Sequence, residues 1–299
     1  FGGGEKERGS SVSSYRFKKA SNGYKQVASP GGGIGMASAE GLTPLQKPLV
    51  KAYESLTDAQ RWIFYLNGGQ LKVYAVGQPS KDVPLLPQTQ QDDQGRDSAV
   101  NYYSYGWMGG QLAVAGHDGS NLCVLTSSDG EKWSKSSLTQ FTGRGIEGSS
   151  LSFYTPSKGI LAVDSDRQMG YHCTSVYTTE DGHNWKAASV PETSSRMMGV
   201  SRCKDTLFLW YDNLSANTSA PEGIPSFYRS SDGGKSWKHI KLQLPNQDNW
   251  YFNTVESITF EEKEGVLLVT GGEGSRARYL SHDGGINWQF DKTGSYIDF

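Results

Sequence analysis

The chain has 299 residues and a formal net charge of −2, and 12 % of its residues are aromatic. This nearly balanced charge predicts neither nucleic acid nor an anionic membrane surface as a partner. No stretch approaches about 18 consecutive apolar residues, so we expect no membrane insertion. The 37 glycines, with many tryptophans and tyrosines, are typical of an all-β fold with short strands and tight turns.

The first third of the chain predicts strands without a strong repeat motif. The apolar runs 62–66 and 70–74 flank Asn67–Gly69, and Asn-Gly between two such runs predicts a β-hairpin. Ser80–Asp82 is the nearest remnant here of a motif that is complete further along the chain. Ser21–Gly23 is a candidate for an earlier, decayed turn.

From Ser127 onward, a short motif recurs four times. Each copy reads Ser or Thr, any residue, Asp, Gly and then, after two or three further residues, Trp. The aspartates are 52, 51 and 51 residues apart, which is close to the length of one four-stranded blade of a β-propeller. The four copies are Ser127–Trp133, Thr179–Trp185, Ser230–Trp237 and Ser281–Trp288.

The residue types of this motif predict a structural turn. Glycine adopts a positive φ without a Cβ clash, so Asp-Gly favours a tight connection between two strands. The carboxylate can accept hydrogen bonds from the N–H groups of its own turn, and the Ser or Thr hydroxyl can add another. The tryptophan then covers the turn with a large apolar surface. The motif residues are therefore predicted to be structural: Asp129, Trp133, Asp181, Trp185, Asp232, Trp237, Asp283 and Trp288.

Strand patterns ahead of each motif complete the prediction of the fold. We expect an all-β, six-bladed β-propeller that forms a single domain over residues 1–299, and five or seven blades also fit the length. The predicted blades are approximately 1–47, 48–97, 98–146, 147–196, 197–250 and 251–299.

The motif resembles the Asp box, or BNR repeat, of the sialidase-like superfamily of propellers. Residues 133–185 are more specifically similar to the trans-sialidases of trypanosomes and their inactive relatives. Glu147, a strand turn at Gly159, Arg167 and the next motif at Asp181 follow one another in that family's order. The resemblance implies that Glu147 pairs with a nucleophilic tyrosine and that Arg167 grips the sialate carboxylate.

Other parts of that catalytic set are missing or displaced. The segment nearest to the family's first arginine motif is Tyr15–Lys18, which supplies Arg16 but lacks the proline. Arg229 lies too close to a turn to be the third arginine, and Tyr251 lies four residues ahead of the position expected for the nucleophile. Retaining sialidases need an activated tyrosine because a carboxylate nucleophile would repel the anionic sugar. We therefore expect no catalysis; if the protein is active, Glu147 and Tyr251 would be the catalytic residues.

Two segments predict a recognition surface, because tyrosine and tryptophan are frequent anchors of such surfaces. Asn101–Trp107 and Asn246–Asn253 both combine aromatic with polar residues, and we expect them on the top-face loops. Packing between blades would explain the same aromatic residues. The predicted ligand-binding residues are Arg16, Arg167, Trp107, Trp250 and Tyr251.

Modification and metal chemistry are predicted from a few positions. Asn213 and Asn217 each begin an Asn-x-Ser/Thr triplet, which predicts glycosylation on a surface loop of a secreted or cell-surface protein. Cys123, Cys173 and Cys203 allow either one disulfide and a free thiol or three buried thiols. No metal-ligand spacing is present, so we expect no metal and no cofactor.

These observations together predict a secreted or cell-surface, non-catalytic, sialidase-like propeller. Its partner would be a host or surface protein, or a glycan, bound through top-face loops. One alternative is an active sialidase or trans-sialidase in which Arg276 or Arg278 adds a further clamp on the sialate. The other is an assembly factor of the photosystem type.

Overall fold

In a computed structural model, the described part of the chain consists of β-strands and turns. The described residues are 16–20, 23–27, 62–67, 70–75, 77–84, 89–91, 97–99, 104–108, 110–118, 121–143, 146–168, 171–191, 195–212, 225–243, 252–271 and 276–296. They contain no α-helix, which confirms the predicted all-β class, and hence no helix that could span a membrane. The strands are β1 Arg16–Ala20, β2 Gly23–Val27, β3 Trp62–Asn67, β4 Gln70–Ala75, β5 Lys81–Asp82, β6 Thr89–Gln91, β7 Asp97–Ala99, β8 Ser104–Met108, β9 Gln111–His117, β10 Leu122–Ser127, β11 Ser134–Ser137, β12 Ile146–Phe153, β13 Gly159–Gln168, β14 Tyr171–Thr179, β15 Trp185–Ala188, β16 Met197–Cys203, β17 Thr206–Tyr211, β18 Ser226–Ser230, β19 Lys238–Lys241, β20 Phe252–Glu261, β21 Glu264–Gly271, β22 Arg276–Ser281 and β23 Gln289–Tyr296.

Four antiparallel sheets of four strands follow one another along the chain. We call them sheet I (β8–β11), sheet II (β12–β15), sheet III (β16–β19) and sheet IV (β20–β23). Within each sheet every strand pairs with its neighbours in sequence, so each sheet is a simple meander. The propeller arrangement and its six blades stay predictions.

Contacts divide the chain into two compact units. One unit contains the hairpin β1–β2 with residues 62–65 and 72–82; in it Lys72 lies opposite Asp82 across β4 and β5. The other contains residues 66–71, the β6–β7 ladder and sheets I to IV. The predicted single domain and the first two predicted blades stay predictions.

Burial varies from strand to strand within a sheet. The second strands β9, β13 and β17 are buried along most of their length, whereas the fourth strands β11 and β19 are largely exposed. A strand buried on both faces needs apolar residues at consecutive positions, which explains runs such as Leu207–Tyr211. The fourth strands are the outermost strands of their sheets, and they carry serines and lysines because one side of each strand faces solvent.

Apolar clusters lie between successive sheets, and alternate residues of one strand enter different clusters. On β13, Leu161 and Val163 belong to the cluster shared with sheet I, whereas Ile160 and Ala162 belong to the cluster shared with sheet III. Successive side chains of a strand point to opposite faces, so one apolar run serves both interfaces. The sheets therefore stack face to face, and the second strands β13 and β17 each contribute to two clusters.

The four motif turns, which we call the Asp-Gly turns, join the third and fourth strand of each sheet. In the first turn, Asp129 Oδ1 accepts hydrogen bonds from the N–H groups of Glu131 at 2.8 Å and Lys132 at 3.0 Å, and Ser127 Oγ accepts one from Gly130 at 2.8 Å. The same pattern recurs around the aspartates of the other three turns. The hydrogen bonds predicted for these turns are thus present in all four.

The tryptophans of these turns differ in their hydrogen bonds. Trp133 and Trp288 donate their indole N–H to a glycine carbonyl of their own turn, and Trp237 donates instead to Ser189 O of sheet II at 2.8 Å. Trp185 is the most buried of the four and meets the Phe153 ring edge to face at 5.7 Å. The motif tryptophan therefore covers its own turn in some copies and contacts another strand or a neighbouring sheet in others.

Candidate functional site

The strands of each sheet turn back at two ends, which we call its edges, and the strand register distinguishes the two. Trp107 lies opposite Leu112, which lies opposite Ser127 of the first Asp-Gly turn, so these residues share one edge. We call it the turn edge. At the other edge of sheet II, Ile146 lies opposite Ser165 and Ser165 opposite Cys173. We call this the far edge.

A cavity of about 440 Å³ opens where the first strands of the four sheets end at the turn edge. We call it the strand-end cavity. Sheet I contributes the end of β8, and sheets II, III and IV contribute the ends of β12, β16 and β20, with one residue from β17. Its lining residues are Trp107, Leu151, Ser152, Phe153, Tyr154, Val200, Ser201, Arg202, Trp210, Ser257, Ile258, Thr259, Phe260 and Glu262.

Aromatic rings and hydroxyl groups dominate this lining. Five of the side chains are aromatic, and four carry an aliphatic hydroxyl. Such a combination offers apolar faces for C–H groups and donors or acceptors for ligand hydroxyls. The aromatic residues are Trp107, Phe153, Tyr154, Trp210 and Phe260, and the hydroxyl residues are Ser152, Ser201, Ser257 and Thr259.

The Trp210 ring lies directly against a glycine of the neighbouring strand. A Cβ at Gly199 would come within 2.2 Å of the Trp210 ring, so the ring can take this place only because residue 199 has no side chain. Trp210 is 4 % exposed, and its indole N–H has no hydrogen-bond partner among the described residues. A buried donor without a partner is costly.

Arg202 is buried at the same edge, where it ties sheets II and III together. Its Nη1 donates to Gly159 O at 3.0 Å and to Thr179 O at 2.8 Å, and its Nε donates to Lys204 O at 2.9 Å. Its Nη2 is paired with Glu180. All three nitrogens therefore serve the protein itself, so Arg202 is a structural part of the cavity wall and is not available to clamp an anionic ligand.

Few titratable groups line the cavity. Glu262 is the only carboxylate among its described lining residues. Partial burial, followed by the charges of Cys203 and Glu262, raises the pKa of Tyr154, so its phenol stays protonated at neutral pH. Glycoside hydrolysis ordinarily requires two carboxyl groups flanking the bond, and sialidases replace one with a tyrosine that must lose its proton. The cavity is chemically suited to binding.

Trp107 lies in the strand-end cavity, but at a different place from the one predicted. The sequence placed the segment 101–107 on the loops ahead of an inner strand. The structure puts Trp107 inside β8, opposite Leu112 and beside the hairpin to β9. The strand register, which the sequence does not reveal, moves this residue to the turn edge.

Glu147 and Arg167 lie away from the cavity, at the far edge of sheet II. Glu147 is the extra residue of a bulge between Ile146 and Gly148, and Arg167 lies near the end of β13. Arg276 and Arg278 are on β22; Arg276 lies 3.5 Å from Glu256, whereas Arg278 donates to Asp291 at 2.6 Å.

The remaining predicted residues are not brought into the site. Arg16 lies in β1, in the other unit. Four further predicted residues lie outside the described residues: Asn213, Asn217, Trp250 and Tyr251.

A buried polar cluster near the far edge was missed by the sequence analysis. The Asp164 carboxylate accepts hydrogen bonds from Thr174 Oγ1 and from the Met197 N–H, both at 2.7 Å. His172 Nδ1 lies 3.6 Å from the same carboxylate, and burial raises the pKa of Asp164. Since Asp164 is on sheet II and Met197 on sheet III, the cluster links the two sheets. Nothing in a strand sequence such as 159–168 marks one aspartate as buried.

The cysteines and histidines of the described residues form no metal site. Cys123, Cys173 and Cys203 are all free thiols; Cys123 and Cys203 are buried as one alternative predicted, whereas Cys173 is exposed. Burial raises the pKa of Cys123 to about 12, so this thiol stays protonated. No group of three or more His, Cys, Asp or Glu residues in the described ranges could hold a metal ion.

Comparisons with known proteins give structural likenesses of low similarity. No model of a known protein family matches the sequence, and the search for curated relatives gave no match. A Niastella koreensis GH74 enzyme aligns with 77 % of this chain at 14 % identity and a TM-score of 0.41, and the chain spans 36 % of that enzyme. A six-bladed fucose-recognising lectin of Aleuria aurantia aligns with 93 % of this chain and 95 % of its own length, at 12 % identity and a TM-score of 0.33. A mutant of that lectin in complex with α-methyl-L-fucoside gives a TM-score of 0.32 at 12 % identity, over 93 % of each chain.

Proposed function

We propose that this protein is a secreted or cell-surface, non-catalytic propeller that recognises a saccharide in the strand-end cavity. The four described sheets would be consecutive blades, and the Asp-Gly turns would be Asp boxes. The observation that carries the proposal is the composition of the cavity, which combines five aromatic side chains with four hydroxyls and a single carboxylate. Sugar rings present both apolar C–H faces and hydroxyls, and this lining matches both.

The position of the cavity on regular strands supports the proposal. Leu151, Ser201 and Ile258 belong to β12, β16 and β20, and the hydrogen bonds of those sheets hold these strands in place. Arg202 fixes the wall between sheets II and III. A site built on strands loses little conformational entropy when a ligand binds.

The test of binding compares two aromatic residues at opposite edges. The fluorescently labelled protein is screened on an array of oligosaccharides, and the affinity for the best ligand is measured by calorimetry. We expect Trp107→Ala to weaken binding about tenfold, because a lost aromatic anchor typically costs more than 1 kcal/mol. Tyr171→Ala removes an aromatic side chain that is 54 % exposed at the far edge, and we expect no change in affinity.

Two outcomes of this test would overturn the cavity as the site. If Tyr171→Ala weakens binding and Trp107→Ala does not, the ligand is held at the far edge, as the top-face prediction requires. If no oligosaccharide binds, the saccharide proposal is wrong.

The non-catalytic part of the proposal has a separate test. Hydrolysis of a fluorogenic sialoside is followed at pH 5 to 7 with the wild type and with Glu147→Ala. We expect no release above the buffer rate from either protein. Release by the wild type that is lost in Glu147→Ala would make this protein a glycosidase with its active site at the far edge.

A further inference from the structure

A second concave surface lies between the outer strands of sheets III and IV, away from the strand-end cavity. It is a groove of about 700 Å³, which we call the outer groove. One wall is the end of β19 with the residues after it, and the other is the fourth Asp-Gly turn with the start of β23. Its lining residues are Ile240, Lys241, Leu242, Gln243, Tyr279, Ile286, Asn287, Trp288, Gln289 and Phe290.

Hydrogen bonds between the two sheets fix the separation of these walls. The Tyr279 hydroxyl of sheet IV donates to Gln243 O at 2.9 Å, next to the end of sheet III. In the opposite direction, Arg229 Nη1 of sheet III donates to Ile286 O at 2.7 Å. Because the walls are held in place before a ligand arrives, binding would cost little reorganisation.

The groove offers apolar surface together with amide groups. The indole N–H of Trp288 is bonded to Gly285 O at 3.1 Å, so the ring itself is what remains for a ligand. Ile286 is 57 % exposed on the rim although it is apolar. Gln243 and Gln289 are exposed, and their amides can pair with ligand hydroxyls.

The charge of the lining is one-sided. Lys241 is exposed and is the only charged residue among the described residues that line the groove, and these include no carboxylate. Asp283, on the adjacent turn, accepts a hydrogen bond from the Asn287 side-chain amide at 2.7 Å and three further hydrogen bonds from its own turn. Among the described residues, an anionic group placed in the groove therefore meets one cation and no facing carboxylate.

We propose that the outer groove binds an anionic saccharide, with Lys241 on its carboxylate or sulfate and Trp288 against the sugar ring. This inference does not rest on the strand-end cavity, because the two sites share no lining residue. It adds a ligand class, acidic sugars, that the cavity does not select, since Arg202 there is already paired.

The test uses calorimetric titration of the whole chain with three named saccharides. They are a galacturonate trisaccharide, a sulfated galactose trisaccharide and the neutral galactose trisaccharide. We expect at least one acidic probe to bind and the neutral one to bind about tenfold more weakly. A preference between the two acidic probes shows whether the natural group is a carboxylate or a sulfate.

Two lysines on the same strand provide a matched pair of variants. Lys241→Gln removes the cation of the groove and should weaken the acidic probe about five- to tenfold. Lys238→Gln removes an equally exposed lysine of β19 that does not line the groove, and it should change the affinity less than twofold. Repeating the titrations in a Trp107→Ala background, in which the strand-end cavity is impaired, separates this site from the cavity.

Several results would overturn the proposal. An anionic ligand would be ruled out if neither acidic probe binds, or if the neutral probe binds equally well. Equal effects of Lys241→Gln and Lys238→Gln would show that the binding depends only on the general surface charge. Tighter binding of a tetraglutamate peptide than of either sugar would show that the groove holds an acidic peptide.

Discussion

Two glycines of the Asp-Gly turns share a backbone conformation but differ in their surroundings. Gly182 has a φ of +79° and Gly233 a φ of +73°, so an alanine at either position would be held in the left-handed region. A Cβ at Gly182 would lie 2.5 Å from Pro156 O, whereas a Cβ at Gly233 would meet nothing within 4 Å. Comparing the two alanine variants therefore isolates the cost of the steric contact.

The expected magnitudes follow from separate terms. The left-handed conformation costs an alanine about 1–2 kcal/mol, and the stiffer unfolded chain returns about 0.4–1 kcal/mol, so Gly233→Ala should lose about 0.5–1 kcal/mol. Gly182→Ala must also displace a backbone carbonyl, and overpacking of this kind adds about 1–3 kcal/mol. The Pro156 carbonyl accepts a hydrogen bond from Gln111 Nε2 at 3.0 Å, and Lys158 N–H closes the surrounding turn on Thr155 Oγ1 at 3.1 Å. That carbonyl cannot move without breaking these bonds.

Urea unfolding followed by tryptophan fluorescence measures both variants against the wild type. We expect the midpoint of Gly182→Ala to fall two to four times as far as that of Gly233→Ala, with similar slopes. Equal losses for the two variants would refute the reasoning, because they would mean that the 2.5 Å contact is relieved at no cost.

Three further changes test other features of the turn edge by the same unfolding assay. Arg202→Met should lower the free energy of unfolding by about 2–4 kcal/mol, because it leaves buried carbonyls without donors. The matched variant Arg229→Met removes a half-buried arginine and should lower it by about 1 kcal/mol. Equal losses would contradict this reasoning. Lys204→Gly, at a φ of +53°, should gain about 0.5 kcal/mol, and a loss would show that the turn is not strained. The Asn184 side-chain amide, followed by the N–H groups of Asn184 and His183, holds the pKa of Asp181 well below its usual range. This contribution is present above the unfolded pKa near 4 and is lost as pH falls through the lower folded value, so Asn184→Ala should destabilise clearly at pH 7 and much less near pH 2; an effect independent of pH would contradict the assignment.

The parts of the fold that depend on local sequence could be predicted. Asp129 accepts hydrogen bonds from residues of its own turn, and Gly130 supplies the positive φ of 72°, so a short motif determines the turn wherever it occurs. The repeat of about 51 residues corresponds to one four-stranded sheet in each of sheets II, III and IV, and this too follows from local sequence. Each repeat carries its own strands and its own closing turn, and pairing between neighbours in sequence needs no long-range information.

The candidate site depends on contacts between sheets, and these could not be predicted. Trp107, Arg202 and Glu262 come from different sheets and meet only because the ends of the first strands converge. The hydrogen bonds of Arg202 to Gly159 and Thr179 are equally hidden, because the bonded residues are 43 and 23 positions away along the chain. The sequence analysis looked for arginines through a catalytic pattern and therefore missed a structural one.

The hydrogen bonds that hold the turn edge in place favour this edge as a binding surface. Turn hydrogen bonds, the buried Arg202 and the Arg229 bridge all act at this edge, and the strand-end cavity opens there too. A site supported in this way keeps its geometry without a ligand and can recognise a rigid sugar ring at low entropic cost. Glu147, by contrast, occupies a bulge at the far edge, with three residues of β12 between it and Leu151, the first cavity-lining residue of that strand. A hydrolase needs its acid, base and binding groups at one place, and we therefore expect no hydrolysis, because the strand-end cavity and Glu147 lie toward opposite ends of the same strand.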